Sequence, residues 1–181
     1  LLATLPGLPM FGHGQIGGLA EKYGMEYRRA YWDERPDPYL LERHEREIFP
    51  LLHRRYLFAD VQNFALYDFF SPEGHVNEDV FAYSNRAGPS AGLGAGGERA
   101  LVVYHNRFGD TRGRVRRAAG TGATLARALD LPAGEEDVWA RYDLRTGLHQ
   151  LGRVRRLAGD VLPMPLGAYA SHELLDIRAV P

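Results

Sequence analysis

From Asp60 onward the chain is cut into short apolar and aromatic runs, each fenced by Gly, Pro, Asn, Asp or Ser. That rhythm constrains the fold more than any other feature, because it matches strands separated by turns. Phe64–Phe69, Val80–Tyr83, Ala100–His105 and Gly113–Arg117 read as strands, rich in the β-branched and aromatic residues that suit a pleated surface. Val138–Leu144 and Leu148–Val154 read as a hairpin around Arg145-Thr146-Gly147, and Tyr169–Ile177 as the last strand. Gly88–Gly97 is a Gly-rich, uncharged hairpin loop, and Thr124–Leu131 reads as a helical insertion ended by Pro132. Many short strands with turn signals between them predict an antiparallel β-sandwich over residues 60–181.

Residues 1–59 are organised differently. Leu1–Leu5 reads as the end of a buried element, stopped by Pro6-Gly7. Leu8-Pro9-Met10-Phe11 reads as a short apolar strand with Pro near its start. Gly12–Pro36 is a long connection holding Tyr23, Tyr27, Tyr31 and Trp32, and connections of that length in compact domains are usually functional or disordered. Asp37-Pro38 then supplies an N-cap and a first-turn proline. Leu40, Leu41, His44, Ile48, Leu51, Leu52 and Arg55 follow at helical spacing, Pro50 should kink or split the helix, and the segment ends near Ala59. One strand and one helix cannot close a core. The order therefore predicts residues 1–59 as the last unit of a larger α/β domain, with 60–181 as a β domain behind it. The apolar start, without Met or a charged leader, reads as a chain cut from a longer one.

Composition removes several function classes. With 22 Lys+Arg against 23 Asp+Glu, the net charge of −1 gives no electrostatic hold on nucleic acid. Zero Cys excludes a disulfide framework, a zinc ribbon and a thiolate nucleophile, and on redox grounds favours the cytoplasm. No apolar run approaches the ~20 residues of a membrane helix, so no membrane partner is expected. The seven His show no metal-binding spacing, and no Ser stands in a nucleophile elbow.

Gly12-His13-Gly14-Gln15-Ile16-Gly17 matches a dinucleotide fingerprint, with Asp33 about 20 residues on. That chemistry needs a helix starting at the third Gly to meet the pyrophosphate. Gly18 and Gly24 weaken such a helix, and Arg28-Arg29 interrupt the strand that would deliver the acid. A second match, Gly92–Gly97, follows Pro-Ser and reads as loop. His13, between two glycines just past the expected strand, is accessible for a substrate-facing role. Glu21, Glu26, Asp33 and Glu34 share the loop with the aromatics, as in a sugar site where rings stack on sugar faces and acids bind hydroxyls; a solvated loop salt-bridged to Arg28, Arg29 and Arg35 is the plainer alternative.

Leu5-Pro6-Gly7-Leu8-Pro9-Met10-Phe11-Gly12-His13-Gly14-Gln15 resembles the last barrel strand of the α-amylase family, glycoside hydrolase family 13. Leu41–Tyr56 looks like that family's final barrel helix. Phe64–Phe69, Val80–Arg86 and Ala100–Asn106 look like the opening strands of its C-terminal β domain, Val80–Arg86 with Leu101–Asn106 being the most specific part. Asp143–Gly147 and Leu166–Ile177 are also similar to that domain, whereas Gly109–Asp137 is not. Two positions depart: Gly12-His13 replace an aromatic pair, and Ile16 an acid.

The resemblance implies an α/β plus all-β chain, the last βα unit of a (β/α)8 TIM barrel followed by an antiparallel β-sandwich C-terminal domain. It implies an enzyme that hydrolyses or transfers α-glucosidic linkages by a retaining mechanism. Its catalytic acids would lie on the preceding barrel, so this chain would hold no catalytic residue, metal or cofactor and be inactive alone. The 12–36 loop would form the rim of an α-glucan cleft, with His13, Gln15, Glu21, Tyr23, Tyr31 and Trp32 as substrate contacts. Two rivals make different demands. A non-catalytic sugar-binding β module with a helical arm requires residues from Asp60 onward to fold alone and bind glucan. A nucleotide-binding protein using Gly12, Gly14 and Gly17 requires a helix at Gly17 and an NAD or ATP ligand.

Overall fold

Among the described residues, eight strands join in a single sheet in which every named pair runs antiparallel: β1 (Ala65–Phe70), β2 (Val80–Arg86), β3 (Arg99–His105), β4 (Thr111–Ala118), β5 (Val138–Asp143), β6 (Leu148–Arg153), β7 (Leu162–Leu166) and β8 (Ser171–Val180). The computed structural model describes residues 1–21, 28–88, 97–131, 138–153 and 162–180. The spatial order is β6-β5-β8-β3-β2-β1-β4-β7. Helices α1 (Pro38–Glu47), α2 (Phe49–His53) and α3 (Arg55–Phe58) precede the sheet, and α4 (Leu125–Ala128) interrupts it.

The sheet curls into a half-barrel, and its burial pattern gives the reason. Leu162, Met164 and Leu166 on edge strand β7 share one apolar cluster with Leu174 and Ile177 on β8, although four strands separate β7 from β8. Phe69, Ala82, Leu101, Val103 and Val115 fill the space between, and α4 seats Leu125 and Ala126 in the same cluster. Thr124 caps α4 by accepting from the Arg127 amide at 3.3 Å. At its other end Arg99 donates to the carbonyls of Leu129 and Asp130. Two bulges sharpen the curl. One lies in the β1–β4 ladder between Tyr67 and Phe69; the other lies opposite Ala140–Tyr142, where Asp176 of β8 takes φ 53°.

The opposite face carries a second cluster in which Leu51, Leu57 and Phe58 pack on Tyr83, Ala100, Val102 and Leu175. With both faces covered, β2 and β3 are buried almost continuously rather than in alternation. Their hydroxyls are satisfied: Tyr83 shares a 2.6 Å hydrogen bond with Thr4, and Tyr67 a 2.7 Å one with Ser84. Burial pushes both phenols up to about 12.

The expected fold class is overturned in both halves. A sandwich needs two sheets, but the β3–β8 and β1–β4 ladders tie every strand into one. The TIM-barrel unit also fails. Leu8–Phe11 is not a strand, and Leu8 and Met10 are 86% and 74% exposed. A strand exists through its ladder, and among the described residues no neighbouring edge meets this segment. Leu1–Leu5 forms a turn instead, with the amides of Thr4 and Leu5 donating to the Leu1 carbonyl. The helical reading of 38–59 is closer to what is found. Asp37 caps α1 by accepting from the amides of Tyr39 and Leu40, and the segment splits at Ile48, with Pro50 in the first turn of α2 where a missing N–H does no harm. β7, Leu-Pro-Met-Pro-Leu, has no counterpart in the sequence reading.

Candidate functional site

The glycine run at 12–18 closes on itself. Gln15 turns back so that its Oε1 accepts from the Gly12 amide at 2.5 Å, and the Gly18 amide donates to the Gly14 carbonyl at 2.6 Å. Gly14 has φ +80°, and a Cβ there would lie 2.1 Å from the Leu19 carbonyl oxygen, so only glycine fits. No helix begins at Gly17; its carbonyl accepts from the Asp37 amide at 2.8 Å. The dinucleotide reading therefore loses the helix N-terminus it requires. His44 Nδ1 donates to the Ile16 carbonyl at 3.1 Å, tying the turn to α1.

Two carboxylates then clamp the rest of the loop. Glu34 accepts from the amides of Ala20 and Glu21 at 2.8 and 2.9 Å, and Glu21 accepts from those of Tyr31 and Trp32 at 2.8 and 3.0 Å. Each acid takes the place of a ladder partner for two backbone donors. Glu21 is buried and both its oxygens are engaged, so it holds the loop's shape. Tyr31 and Trp32 stand outward on this clamp, 70% and 60% exposed. The structure thus brings Glu21, Tyr31 and Trp32 together. It leaves His13 and Gln15 exposed on the preceding turn, and Tyr23 lies outside the described residues.

A cleft of about 510 Å³ lies between the N-terminal arm and the outer face of the sheet. Phe11, His44, Tyr104, Asn106, Tyr169 and Glu173 line it, together with Glu47. Its two carboxyls are driven apart. Burial pushes the Glu173 carboxyl up, opposed by a hydrogen bond from Ser171. Burial also works against the Glu47 charge, but Arg43 and Arg46 outweigh it and hold that carboxyl below its ordinary value. Phenols, an amide and carboxyls lining one cleft suit a ligand rich in hydroxyls. The sequence reading missed Glu173; the same strand, Ser171–Val180, carries a second acid, Asp176, so no local signal singles Glu173 out. Among the described residues no group of three or more His, Asp or Glu is arranged to hold a metal ion, and no helix is long and apolar enough to cross a membrane.

His172 and Asp143 form a second polar cluster, at the inner face. His172 Nδ1 lies 3.0 Å from Asp143 Oδ2, and its Nε2 lies 3.3 Å from the Pro165 carbonyl. Asp143 also accepts from the amides of Arg145 and Thr146, which makes this pair an anchor of the β5–β6 turn. Comparison with known proteins finds no matching family model and no matching curated protein.

Proposed function

We propose that this chain is the C-terminal part of an α-amylase-like glycoside hydrolase or transglycosylase acting on α-glucosidic linkages by a retaining mechanism. In this reading it presents an oligosaccharide-contacting surface and supplies no catalytic acid. The observation that carries it is the exposed Tyr31–Trp32 pair, whose backbone amides the Glu21 carboxylate holds. Exposed rings fixed through their own backbone amides lose little freedom when a sugar face stacks on them. The resemblance of Val80–Arg86 and Leu101–Asn106 to the opening strands of that family's C-terminal domain supports the same reading.

Maltoheptaose added to the 181-residue chain tests it. Titration followed by tryptophan fluorescence should show saturable binding in the millimolar range, about tenfold weaker or lost in Trp32→Ala, with no release of reducing sugar. Absence of binding overturns the surface reading. Reducing sugar released by the wild type and abolished by Glu173→Gln or Glu47→Gln overturns the claim that the acids lie elsewhere, because that pair has the divergent proton affinities of a general acid and its partner.

A further inference from the structure

Strand β4 places four arginines within six residues, Arg112, Arg114, Arg116 and Arg117, in a chain whose net charge is only −1. Val115 points into the core, so Arg112, Arg114 and Arg116 project from the outer face. The bulge opposite Tyr67–Phe69 leaves the next residue, Arg117, exposed as well. Among the described residues no ion pair engages Arg112, Arg114 or Arg116. Arg116 instead lies over the Phe70 ring, 4.8 Å from its centroid. The nearby acids are Asp68 and Glu73, so positive charge prevails.

Beside this row, a hollow of about 360 Å³ is lined by Phe70, Pro72, Arg112, Arg114, Pro163 and Pro165. Its shape follows from Gly113. A Cβ at that residue would fall 2.3 Å from the Phe70 carbonyl oxygen and 2.4 Å from the Phe69 ring, so glycine alone lets β4 press against β1. The prolines and Phe70 offer a floor with almost no hydrogen-bonding groups. A sugar would leave its hydroxyls unmatched there, whereas a flat ring would not. Arg112 and Arg114 line its wall, and a guanidinium fork matches the oxygens of an anion. The volume is that of a small-molecule site.

We propose that this hollow binds a small aromatic oxyanion: a flat ring bearing a phosphate, the chemistry shared by nucleoside monophosphates and aryl phosphates. The ring lies on Pro72, Pro163 and Pro165 beside Phe70, and Arg112 and Arg114 take the phosphate. The site is separate from the sugar-facing cleft and does not depend on it.

Calorimetric titration of the full chain with adenosine monophosphate, phenyl phosphate, inorganic phosphate and adenosine is the test. At least one of the two ring phosphates should bind about tenfold tighter than both inorganic phosphate and adenosine. Preference for adenosine monophosphate would identify a nucleoside source, and equal affinity an aryl one. Arg114→Ala should weaken that binding about tenfold, and Arg112→Ala similarly, while Arg127→Ala, which removes the same charge from α4, should leave it unchanged. No binding by either ring phosphate, inorganic phosphate binding as tightly as both, or equal effects of Arg114→Ala and Arg127→Ala would each overturn the proposal.

Discussion

His172 faces two groups that only accept hydrogen bonds, the Asp143 carboxylate and the Pro165 carbonyl. A neutral imidazole has one N–H, so only the imidazolium satisfies both. The hydrogen bond to Asp143 raises the His172 pKa, against the pull of burial. For Asp143, burial raises the carboxyl, but the His172 hydrogen bond and charge outweigh it and leave the pKa lowered. The signs give the pH window. The His172 contribution is complete below about 6.5, the unfolded value, and is lost as pH rises through the raised folded value. The Asp143 contribution is present above the ordinary carboxylate range and is lost as pH falls through its lowered value. The pair therefore contributes most between those limits. Urea unfolding of wild type and His172→Asn should differ by about 1.5 kcal/mol near pH 6, with the gap closing toward pH 9. A gap that does not change with pH would rule out the imidazolium. None of this is legible locally, because His172 and Asp143 are 29 residues apart in sequence. The same distance effect hid the role of Glu21. It is readable as an acid among aromatics, but the amides it accepts from lie ten and eleven residues on.

At the scale of elements, legibility follows the range of the forces involved. The start of α1 was readable because an Asp cap and a first-turn proline act within three residues. Strands β1 to β6 were readable from composition and flanking turns. β7 was not, because two prolines in five residues break the pattern of a strand. They are tolerated because β7 is an edge, paired among the described residues with β4 alone. Leu162, Met164 and Leu166 face the core and alternate with Pro163 and Pro165, so the residues without an N–H fall together on one parity of the strand. Prolines there also deny a neighbouring chain the donors it would need to add a strand. Replacing both by Thr should restore those donors and keep the β4 ladder. The expected outcome is concentration-dependent self-association by light scattering, with little change in thermal midpoint. A variant that stays dispersed over the same concentrations would show that the prolines do not protect this edge.

At the scale of the whole molecule, one sheet has two covered faces, and that joint burial is what strand-by-strand reading could not supply. Sheet membership is decided by pairs such as Tyr67↔Ala118 and Leu101↔Leu174, which no local pattern encodes. The outer cluster shows the consequence. Leu57 and Phe58, each 1% exposed, lie on Tyr83, Val102 and Leu175, so residues 48–58 and the strands complete the same core. A sugar-binding module that folds from Asp60 alone would have to present that apolar face to water. The prediction is direct. Leu57→Ala should lower unfolding free energy by about 2–5 kcal/mol, the range for truncating a fully buried leucine. The loss should appear in the β-sheet circular dichroism signal as a single cooperative shift, because the truncated contact supports the strands as well as α3. A sheet signal that melts at the wild-type temperature while only helical signal is lost would mean that the strands do not need this layer, and a chain beginning at Asp60 would then be expected to fold.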